Sequence, residues 1–258
     1  MLSTEQMKIN AIILAAGKGS RLVESTFGSP KPLIDINGIS LIQRQINLLK
    51  KNDIEKIFIV RGYKLDEFQL KNVTYVDDIK FNEHDQLGSL IEGSNHIDGD
   101  VLIIFGDILF DEKIIRQMIM SKEDISVAVD LDWQKSYESR HDNPIELAGK
   151  VLIKNNHIFE FSEQLPCEKD GFDIAEFLGI IKIKNNVTKK IRELLKELSK
   201  NHQGKFHDAN SFQHAKLTDF LQELINLKIK ISPVYINGNW CEIDTPMDLE
   251  IARKKFSD

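Results

Sequence analysis

The sequence predicts an α/β fold: a Rossmann-like, mostly parallel sheet flanked by helices. Short apolar runs alternate with segments of helical periodicity through the first half of the chain, which is typical of consecutive strand–helix–strand units. One of these runs, VLIIF at 101–105, is apolar at every position, as expected for a central parallel strand covered on both faces. In such a sheet we expect ligands at the carboxyl ends of the strands.

The first half opens with a predicted strand at 9–14. An amphipathic helix is predicted at 41–51 (LIQRQINLLKK), because its apolar residues recur at helical spacing and its last turn is basic. The other predicted elements of this half are strands at 56–60, 73–76, 101–105 and 126–129 and helices at 89–96 and 114–120.

The second half is less regular. Two short strands at 151–153 and 158–161 flank KNNH, which is a hairpin signal. The closing helix is predicted at 246–255, with Thr245 as its N-cap and Pro246 at its first position. Further strands are predicted at 177–183 and 231–236, and further helices at 189–200 and 217–226.

Length and composition fit one globular unit. The 258 residues are 41% hydrophobic and 29% charged, which is enough to bury a core. We expect a single domain over 1–258, with a core of about 8–130 and 215–258 and a small accessory lobe at about 131–214. The net charge of −6 argues against a nucleic-acid-binding surface, which would be basic.

No segment of the sequence indicates secretion or membrane insertion. There is no secretory signal and no apolar run of membrane-spanning length. The two cysteines, Cys167 and Cys241, have no metal-ligand spacing and are too few for a disulfide framework. We therefore expect a soluble, cytoplasmic protein with reduced thiols.

The loop after the first strand, LAAGKGSRL at 14–22, combines glycines with basic residues. Glycines let backbone N–H groups approach an anion closely, and Lys18 and Arg21 add positive charge. The loop is not a P-loop, because Gly17-Lys18-Gly19-Ser20 does not have the G-x-x-x-x-G-K-[ST] spacing. It is not a dinucleotide fingerprint either, because Leu22 stands where the fingerprint has its third glycine. The loop therefore predicts a phosphate site of another kind, with a simple tight turn as the alternative.

LAAGKGSRL, together with SPKPL at 29–33, resembles the nucleotidyltransferase family, whose members make nucleotide-activated sugars and small phospho-compounds. The resemblance implies a glycosyltransferase-A-like fold, with Arg21 and Lys31 contacting phosphates as catalytic residues. It extends through FIVRGY at 58–63 and DQLGSL at 85–90, segments that resemble those near the nucleotide base. The nucleotide-binding residues that it implies are Leu14, Ala15, Ala16, Gly17, Gly19, Ser20, Gly62, Tyr63, Gln86, Gly88 and Ser89.

Two aspartates complete the resemblance. Asp107 lies in IIFGDILF at 103–110, and Asp244 lies in WCEIDTPMDL at 240–249. The resemblance implies that they hold Mg²⁺ while an acceptor attacks the α-phosphorus of a nucleoside triphosphate and pyrophosphate leaves. No general base is needed, because a phosphate monoester with a second pKa near ~6 is already an oxyanion at neutral pH. The alternative for Asp244 is a purely structural role at the start of the last helix.

The segment FEFSEQLP at 159–166 lacks the Glu-Lys-Pro triplet of the sugar-phosphate enzymes. DLDWQKSYESRHDNP at 130–144 instead resembles cytidylyltransferases that act on phosphonates such as 2-aminoethylphosphonate and on phosphoglutamine, and phosphocholine cytidylyltransferases are close relatives of that branch. This implies CTP as donor, a small phosphorylated or phosphonate acceptor and a role in cell-surface decoration such as capsule biosynthesis. The candidate acceptor-binding residues are Asp130, Asp132, Trp133, Arg140, Glu176 and Trp240, with hydrophobic packing as the alternative for both tryptophans.

Other functions stay open at this point. One is a sugar 1-phosphate nucleotidyltransferase that uses UTP or dTTP, and another is a non-catalytic nucleotide-sensing module. A glycosyltransferase is a third, although that class lacks the basic opening loop. The histidines match no metal-ligand spacing, and we expect surface or polar-lobe positions for His84, His141, His207 and His214. The sequence fixes neither the acceptor nor the oligomeric state, for which a homodimer is one alternative.

Overall fold

The computed structural model describes residues 8–19, 22, 28–138 and 140–257. A nine-stranded sheet with the order β10-β9-β11-β6-β1-β4-β5 forms its centre, and β8 joins β11 and β12 beside this path. The strands are β1 (Ile9–Ala15), β2 (Asp35–Ile36), β3 (Ile39–Ser40), β4 (Ile57–Arg61), β5 (Thr74–Asp77), β6 (Asp100–Phe105), β7 (Ile108–Phe110), β8 (Ile125–Asp130), β9 (Lys150–Lys154), β10 (His157–Ser162), β11 (Asp173–Ile183), β12 (Ser232–Tyr235) and β13 (Trp240–Glu242).

The strands β6, β1, β4 and β5 form the parallel core of the sheet. β1 pairs with β4 on one side and with β6 on the other, and both pairings are parallel. The residues of β1 alternate between two clusters of buried apolar side chains, Ile12 on one face and Ala11 and Ile13 on the other. The predicted α/β fold with a mostly parallel central sheet is confirmed.

β11 is the strand at which the sheet changes direction. Its first half pairs antiparallel with β9, its second half pairs antiparallel with β6, and β8 pairs with both halves. Gly179 lies at the change, with a φ of +75°, and a Cβ there would meet the ring of Phe105 at 2.2 Å. Glycine is therefore required by both the backbone conformation and the neighbouring ring.

Helices cover both faces of the sheet. They are α1 (Leu41–Lys51), α2 (Gln86–Gly93), α3 (Glu112–Met120), α4 (Gln134–Tyr137), α5 (Asn185–Asn201), α6 (Leu217–Asn226) and α7 (Pro246–Lys255). α1 and α3 pack on one face, and α2, α5 and α6 pack on the other. None of the helices in the described ranges is long and apolar enough to cross a membrane.

Several predicted elements agree with the structure in detail. α1, α6 and α7 have the predicted bounds, and Thr245 caps α7 by accepting a hydrogen bond from Asp248 N. The predicted hairpin forms between β9 and β10, with its turn residues Asn155 and Asn156 both at positive φ. α2 begins three residues earlier than predicted, at Gln86, because Asp85 caps its first turn.

Two small sheets were not predicted from the sequence. β2 pairs with β3, and β7 pairs antiparallel with β13, in strands of two or three residues. Such strands are too short for a periodic pattern to be visible in the sequence. The pairing of β7 with β13 matters for function, because it joins the segments that follow β6 and precede α7.

Candidate active site

A cleft of about 560 Å³ opens at the carboxyl ends of the parallel strands β1 and β6. The glycine loop at 16–19 lines it, and so does the segment 105–108. These two segments approach closely at Gly106, whose N–H donates to the Leu14 carbonyl at 2.8 Å. A Cβ at Gly106 would lie 2.7 Å from that carbonyl oxygen, so only glycine permits the contact.

Three carboxylates meet inside this cleft. One oxygen each of Asp107, Glu242 and Asp244 lies within 4.8 Å of the others. The small β7–β13 sheet brings them together, because it pairs Ile108 with Glu242, and Ile243 N donates to the Asp107 carbonyl at 3.0 Å. Glu242 and Asp244 are two residues apart and therefore lie on the same side of the extended chain.

A buried glutamine of α1 holds the segment that carries Asp107. The Gln45 amide of α1 donates to the carbonyl oxygens of Phe105 at 2.9 Å and of Ile108 at 2.7 Å. Asp107 Oδ1 is itself buried and has no hydrogen-bond partner among the residues that the structure describes. A buried carboxylate oxygen of this kind needs a cation or a donor. The all-carboxylate donor set suits a hard cation such as Mg²⁺, so the residues present fit the metal.

Lys31 lies between the carboxylates. Its Nζ donates to Asp107 Oδ2 at 3.0 Å and to Asp244 Oδ1 at 2.5 Å. Burial lowers the pKa of Lys31, but attraction by Asp107, Asp244 and Glu242 outweighs burial and holds the pKa above its usual value. Lys31 therefore stays an ammonium at every physiological pH. Its stem packs on the glycine loop, since a Cβ at Gly19 would lie 3.1 Å from Lys31 Cβ.

Glu242 is the carboxylate of the cluster that lies on β13. Burial, together with the nearby Asp244 and Asp107, raises its pKa to about 8, and Lys31 and Arg140 only partly offset this. Arg140 lies behind it, with Nη2 at 3.7 Å from Glu242 Oε2. The same guanidinium donates from Nε to Asp248 Oδ1 at 2.7 Å, so it ties Glu242 to the start of α7.

A buried acid, Asp78, lies behind two residues that line the cleft, His84 and Ser89. Its two oxygens accept hydrogen bonds from Ser89 Oγ at 2.8 Å and from His84 Nε2 at 3.1 Å. The other ring nitrogen of His84 faces the Asp85 carbonyl at 3.1 Å. Both nitrogens face acceptors, and the hydrogen bond to Asp78 raises the pKa of His84. The arrangement favours an imidazolium that lines the cleft.

Glu176 on β11 also lines the cleft. Tyr137 Oη donates to Glu176 Oε1 at 2.7 Å, while Oε2 is buried and has no partner among the described residues. Burial raises the pKa of Glu176 to about 7. The hydrogen bond from Tyr137 and the attraction by Arg140 lower this pKa, but they do not offset the effect of burial. Trp240 lines the cleft as well and donates from Nε1 to Asp130 Oδ2 at 2.8 Å.

Residues 11–166 match the family model of the MobA-like NTP transferase domain. The chain belongs to this nucleotidyltransferase family. It is 30% identical over 263 residues to "CTP:phosphoglutamine cytidylyltransferase" of Campylobacter jejuni subsp. jejuni serotype O:2, covering 96% of this chain and all of that protein. It is also 30% identical over 245 residues to "Bifunctional protein GlmU" of Methanococcus aeolicus, covering 93% of this chain and 53% of that protein, so the chain spans about half of that relative.

A solved structure supports the same fold. The inositol-1-phosphate CTP transferase from T. maritima superimposes with a TM-score of 0.71 at 22% sequence identity, and the match covers 98% of each chain. Likeness at this identity concerns the fold. The family match and the full-length relative together identify the chain as a nucleotidyltransferase, as the sequence predicted.

The nucleotidyltransferase cleft contains many of the predicted nucleotide-binding residues. Those that line it are Leu14, Ala16, Gly17, Gly19, Gln86 and Ser89, together with the predicted catalytic Lys31. The predicted Ala15, Gly62, Tyr63 and Gly88 lie beside this lining rather than in it. Both glycines among them have close neighbours. A Cβ at Gly62 would lie 2.6 Å from Phe81, and a Cβ at Gly88 would lie 2.2 Å from His84. Arg21 and Ser20 lie outside the described residues.

The predicted acceptor-binding residues divide into two groups. Glu176 and Trp240 line the cleft, and Asp130 contacts it through its hydrogen bond to Trp240. Trp133 is fully buried and donates to the Ile174 carbonyl at 3.1 Å, which is the packing alternative that the sequence left open. Arg140 is buried behind Glu242, and Asp132 is exposed and paired with Lys135.

Sequence reasoning missed several residues of the cleft. Glu242 is two positions before Asp244, and the strand period of two was the signal that it shares a face with the predicted ligand. His84 was expected at a surface or polar-lobe position but lines the cleft. Lys216 and Glu163 also line it, and no local sequence pattern indicated either of them.

Proposed function

We propose that the chain is an Mg²⁺-dependent cytidylyltransferase that transfers CMP from CTP to a small phosphorylated or phosphonate acceptor and releases pyrophosphate. The observation that carries the proposal is the cluster of Lys31 with Asp107, Glu242 and Asp244 at the mouth of the glycine loop. CTP as donor is supported by the full-length relative named for a CTP-dependent reaction. The acceptor class is supported by the same name and by the missing Glu-Lys-Pro triplet.

The glycine loop suits the triphosphate. Backbone N–H groups at Ala16, Gly17 and Gly19 can approach phosphate oxygens, and Lys18 adds charge at the same wall. We assign Arg21 to the triphosphate and Ser20 to the loop on the resemblance of the sequence alone. The remaining predicted nucleotide-binding residues form or support this half of the cleft.

An oxygen of the acceptor's phosphoryl group attacks the α-phosphorus of CTP, and the bond from that phosphorus to the bridging oxygen of pyrophosphate breaks. Asp107, Glu242 and Asp244 would hold Mg²⁺, which supplies charge neutralisation at the phosphates. Lys31 presents a permanent ammonium at the same point and stabilises the charge that develops on the phosphoryl oxygens. Water has no part in the transfer, and the ionised acceptor needs no general base.

Glu176, Trp240 and Asp130 form the acceptor half of the cleft in this proposal. The buried Glu176 suits a donor group of the acceptor, and the Trp240 face suits a cationic or apolar part of it. Arg140 acts indirectly, by holding Glu242. The product would be a CMP-activated compound for decoration of a surface polysaccharide or lipid, made in the cytoplasm, where CTP is available.

Pyrophosphate release tests the proposal. CTP, ATP, GTP, UTP and dTTP would be crossed with phosphocholine, 2-aminoethylphosphonate, phosphoglutamine and glucose 1-phosphate, in Mg²⁺ and in EDTA. We expect turnover with CTP and a non-sugar acceptor, in Mg²⁺ alone. Asp107→Asn should abolish it, while Asp170→Asn, at an exposed position away from the cleft, should not. Turnover restricted to UTP or dTTP with glucose 1-phosphate would contradict the donor and the acceptor class.

A further inference from the structure

A second cavity borders the carboxylate cluster. It has a volume of about 230 Å³, and Arg140, Glu242 and Asp248 are among the residues that line it. Glu242 and Trp240 line both this cavity and the cleft, so β13 lies between two open spaces. Close packing fixes a side chain only where neighbouring atoms fill the space around it. The position of Glu242 therefore depends on hydrogen bonds and ion pairs more than on packing.

Asp248, in the first turn of α7, connects two of the three carboxylates, and it is 1% exposed. Its Oδ2 accepts hydrogen bonds from Asp244 N at 3.0 Å and from Thr245 N at 2.9 Å. Its Oδ1 accepts one from Arg140 Nε at 2.7 Å, and Nη2 of the same guanidinium lies 3.7 Å from Glu242 Oε2. One side chain thus holds the backbone of Asp244 directly and the carboxylate of Glu242 through Arg140.

This connection requires a carboxylate at position 248. Both oxygens of Asp248 accept hydrogen bonds from N–H groups, and a carboxylate offers acceptors on both sides. Asparagine has the same shape but offers one oxygen and one NH₂ group. It would turn a donor either towards Arg140 Nε or towards Asp244 N. Asp248→Asn therefore breaks one of the two connections and keeps the volume of the side chain.

The third carboxylate of the cluster is held independently. Asp107 lies between Phe105 and Ile108, whose carbonyl oxygens accept hydrogen bonds from Gln45. The three carboxylates meet within 4.8 Å only if both supports are in place, Gln45 on one side and Asp248 on the other. Mg²⁺ demands near-ideal octahedral geometry, so its affinity is sensitive to the placement of its ligands.

We infer that Asp248 is a positioning residue of the metal site, which sets the affinity for the divalent cation by fixing the segment 242–244, partly through Arg140. Asp248 itself contacts neither the cation nor the substrates. This inference rests on the proposed function, which assigns Mg²⁺ to the three carboxylates, and deepens it. Loss of a group that orients metal ligands lowers metal affinity by roughly 10- to 100-fold.

Metal binding to the full chain tests the inference. Mn²⁺ is the probe, because it takes the same oxygen ligands as Mg²⁺ and the free ion is measured by electron paramagnetic resonance. Asp248→Asn should weaken Mn²⁺ binding by roughly 10- to 100-fold. An affinity equal to that of the wild type overturns the inference.

Asp219→Asn is the matched control. Asp219 is also a buried acid at the third position of a helix, α6, and completes a capping box there. Its oxygens accept hydrogen bonds from the backbone N–H groups of Lys216, at 2.7 Å, and of Asp208, at 2.9 Å. The control should lower the melting temperature and leave the Mn²⁺ affinity unchanged. A loss of Mn²⁺ affinity as large as that in Asp248→Asn would show a general effect of buried caps and would overturn the inference.

Two further measurements separate positioning from a loss of structure. In Asp248→Asn the Mg²⁺ concentration for half-maximal pyrophosphate release should rise by roughly 10- to 100-fold, and excess Mg²⁺ should restore kcat. A loss of kcat that excess Mg²⁺ does not restore overturns the inference. Arg140→Lys keeps a charge but loses the planar fork that bridges two acids, so it should also weaken Mn²⁺ binding, even if Asp248→Asn does not fold. The losses in the double variant should be less than additive, and full additivity would overturn the connection through Arg140.

The outcomes distinguish the positioning role from the proposed reaction. If the wild type turns over CTP and Asp248→Asn binds Mn²⁺ as tightly as the wild type, the reaction stands and the positioning role is wrong. If Mn²⁺ binding weakens in Asp248→Asn but no acceptor is turned over, the reaction is wrong and the positioning role stands. A wild type that binds no Mn²⁺ overturns the metal site and the positioning role with it.

Discussion

Replacing Lys31 with methionine tests the centre of the site most directly, because the change keeps the aliphatic stem and removes the charge. The ammonium is the shared partner of Asp107 and Asp244, at 3.0 and 2.5 Å, and all three side chains are largely buried. Removing one partner of a buried ion pair costs about 3–5 kcal/mol, since the other charges lose their compensation. In a chain of this size that corresponds to a melting temperature lower by roughly 6–20 °C.

The same substitution should lower kcat/KM by roughly 100- to 1,000-fold, the usual effect of removing one donor to the charge of a transition state. It should also make the variant's stability more dependent on Mg²⁺ than that of the wild type, because the carboxylates have lost their own cation. The assays are thermal unfolding with and without Mg²⁺ and pyrophosphate release. Lys200→Met, at an exposed position on α5, is the matched control.

A Lys31→Met protein with wild-type stability, unchanged Mg²⁺ dependence and kcat/KM within threefold of the wild type would refute the reasoning. Loss of activity without any change in stability would show that the ion pairs are formed only when substrate is bound. In that case the short Lys31–carboxylate distances in the ligand-free cleft would not contribute to the free energy of unfolding.

Three further predictions concern other parts of the chain. The pKa of Glu176 is about 7 in the folded protein, above its usual 4.5, so between these pH values the folded state holds a proton that the unfolded chain releases. The free energy of unfolding should therefore fall by about 3 kcal/mol as the pH rises from 4.5 through 7. Urea unfolding at pH 5 and pH 8 should show this loss in the wild type and a smaller one in Glu176→Gln; an unchanged pH dependence would contradict it. Gly179→Ala should destabilise by about 3 kcal/mol through its positive φ and its collision with Phe105, and a melting temperature within a degree of the wild type would contradict that. EDTA should weaken CTP binding by roughly tenfold or more, measured by calorimetry, and Mg²⁺ should restore it; equal affinity in both would exclude a role for the metal in holding the nucleotide.

The sequence predicted the fold well where periodicity was strong. α1, α6 and α7 have the predicted bounds because the signals that set them are local in the sequence. α1 and α6 have apolar residues at helical spacing, and α7 has an N-cap threonine followed by proline. The parallel core followed from the apolar runs of β1 and β6. The change of pairing partner along β11 could not be predicted. A single glycine in an apolar run is compatible with several structures, and Phe105, whose ring leaves no room for a side chain at Gly179, is distant in the sequence.

The candidate site was predictable only where a local motif carried it. Lys31 and Asp107 stand in compact motifs, and both line the cleft together. Glu242 joins them through a pairing of three-residue strands that no periodicity could show. A motif such as the segment at 130–144 does not say which way each side chain points: Trp133 is buried in the core, whereas Tyr137 lines the cleft.

The balance of charge explains why these groups lie together. Three carboxylates around one ammonium leave the centre of the cleft negative when all are ionised, which repels a triphosphate. A divalent cation would remove that repulsion and leave the Lys31 charge available to phosphate. This part of the cleft therefore suits polyanions only with a metal.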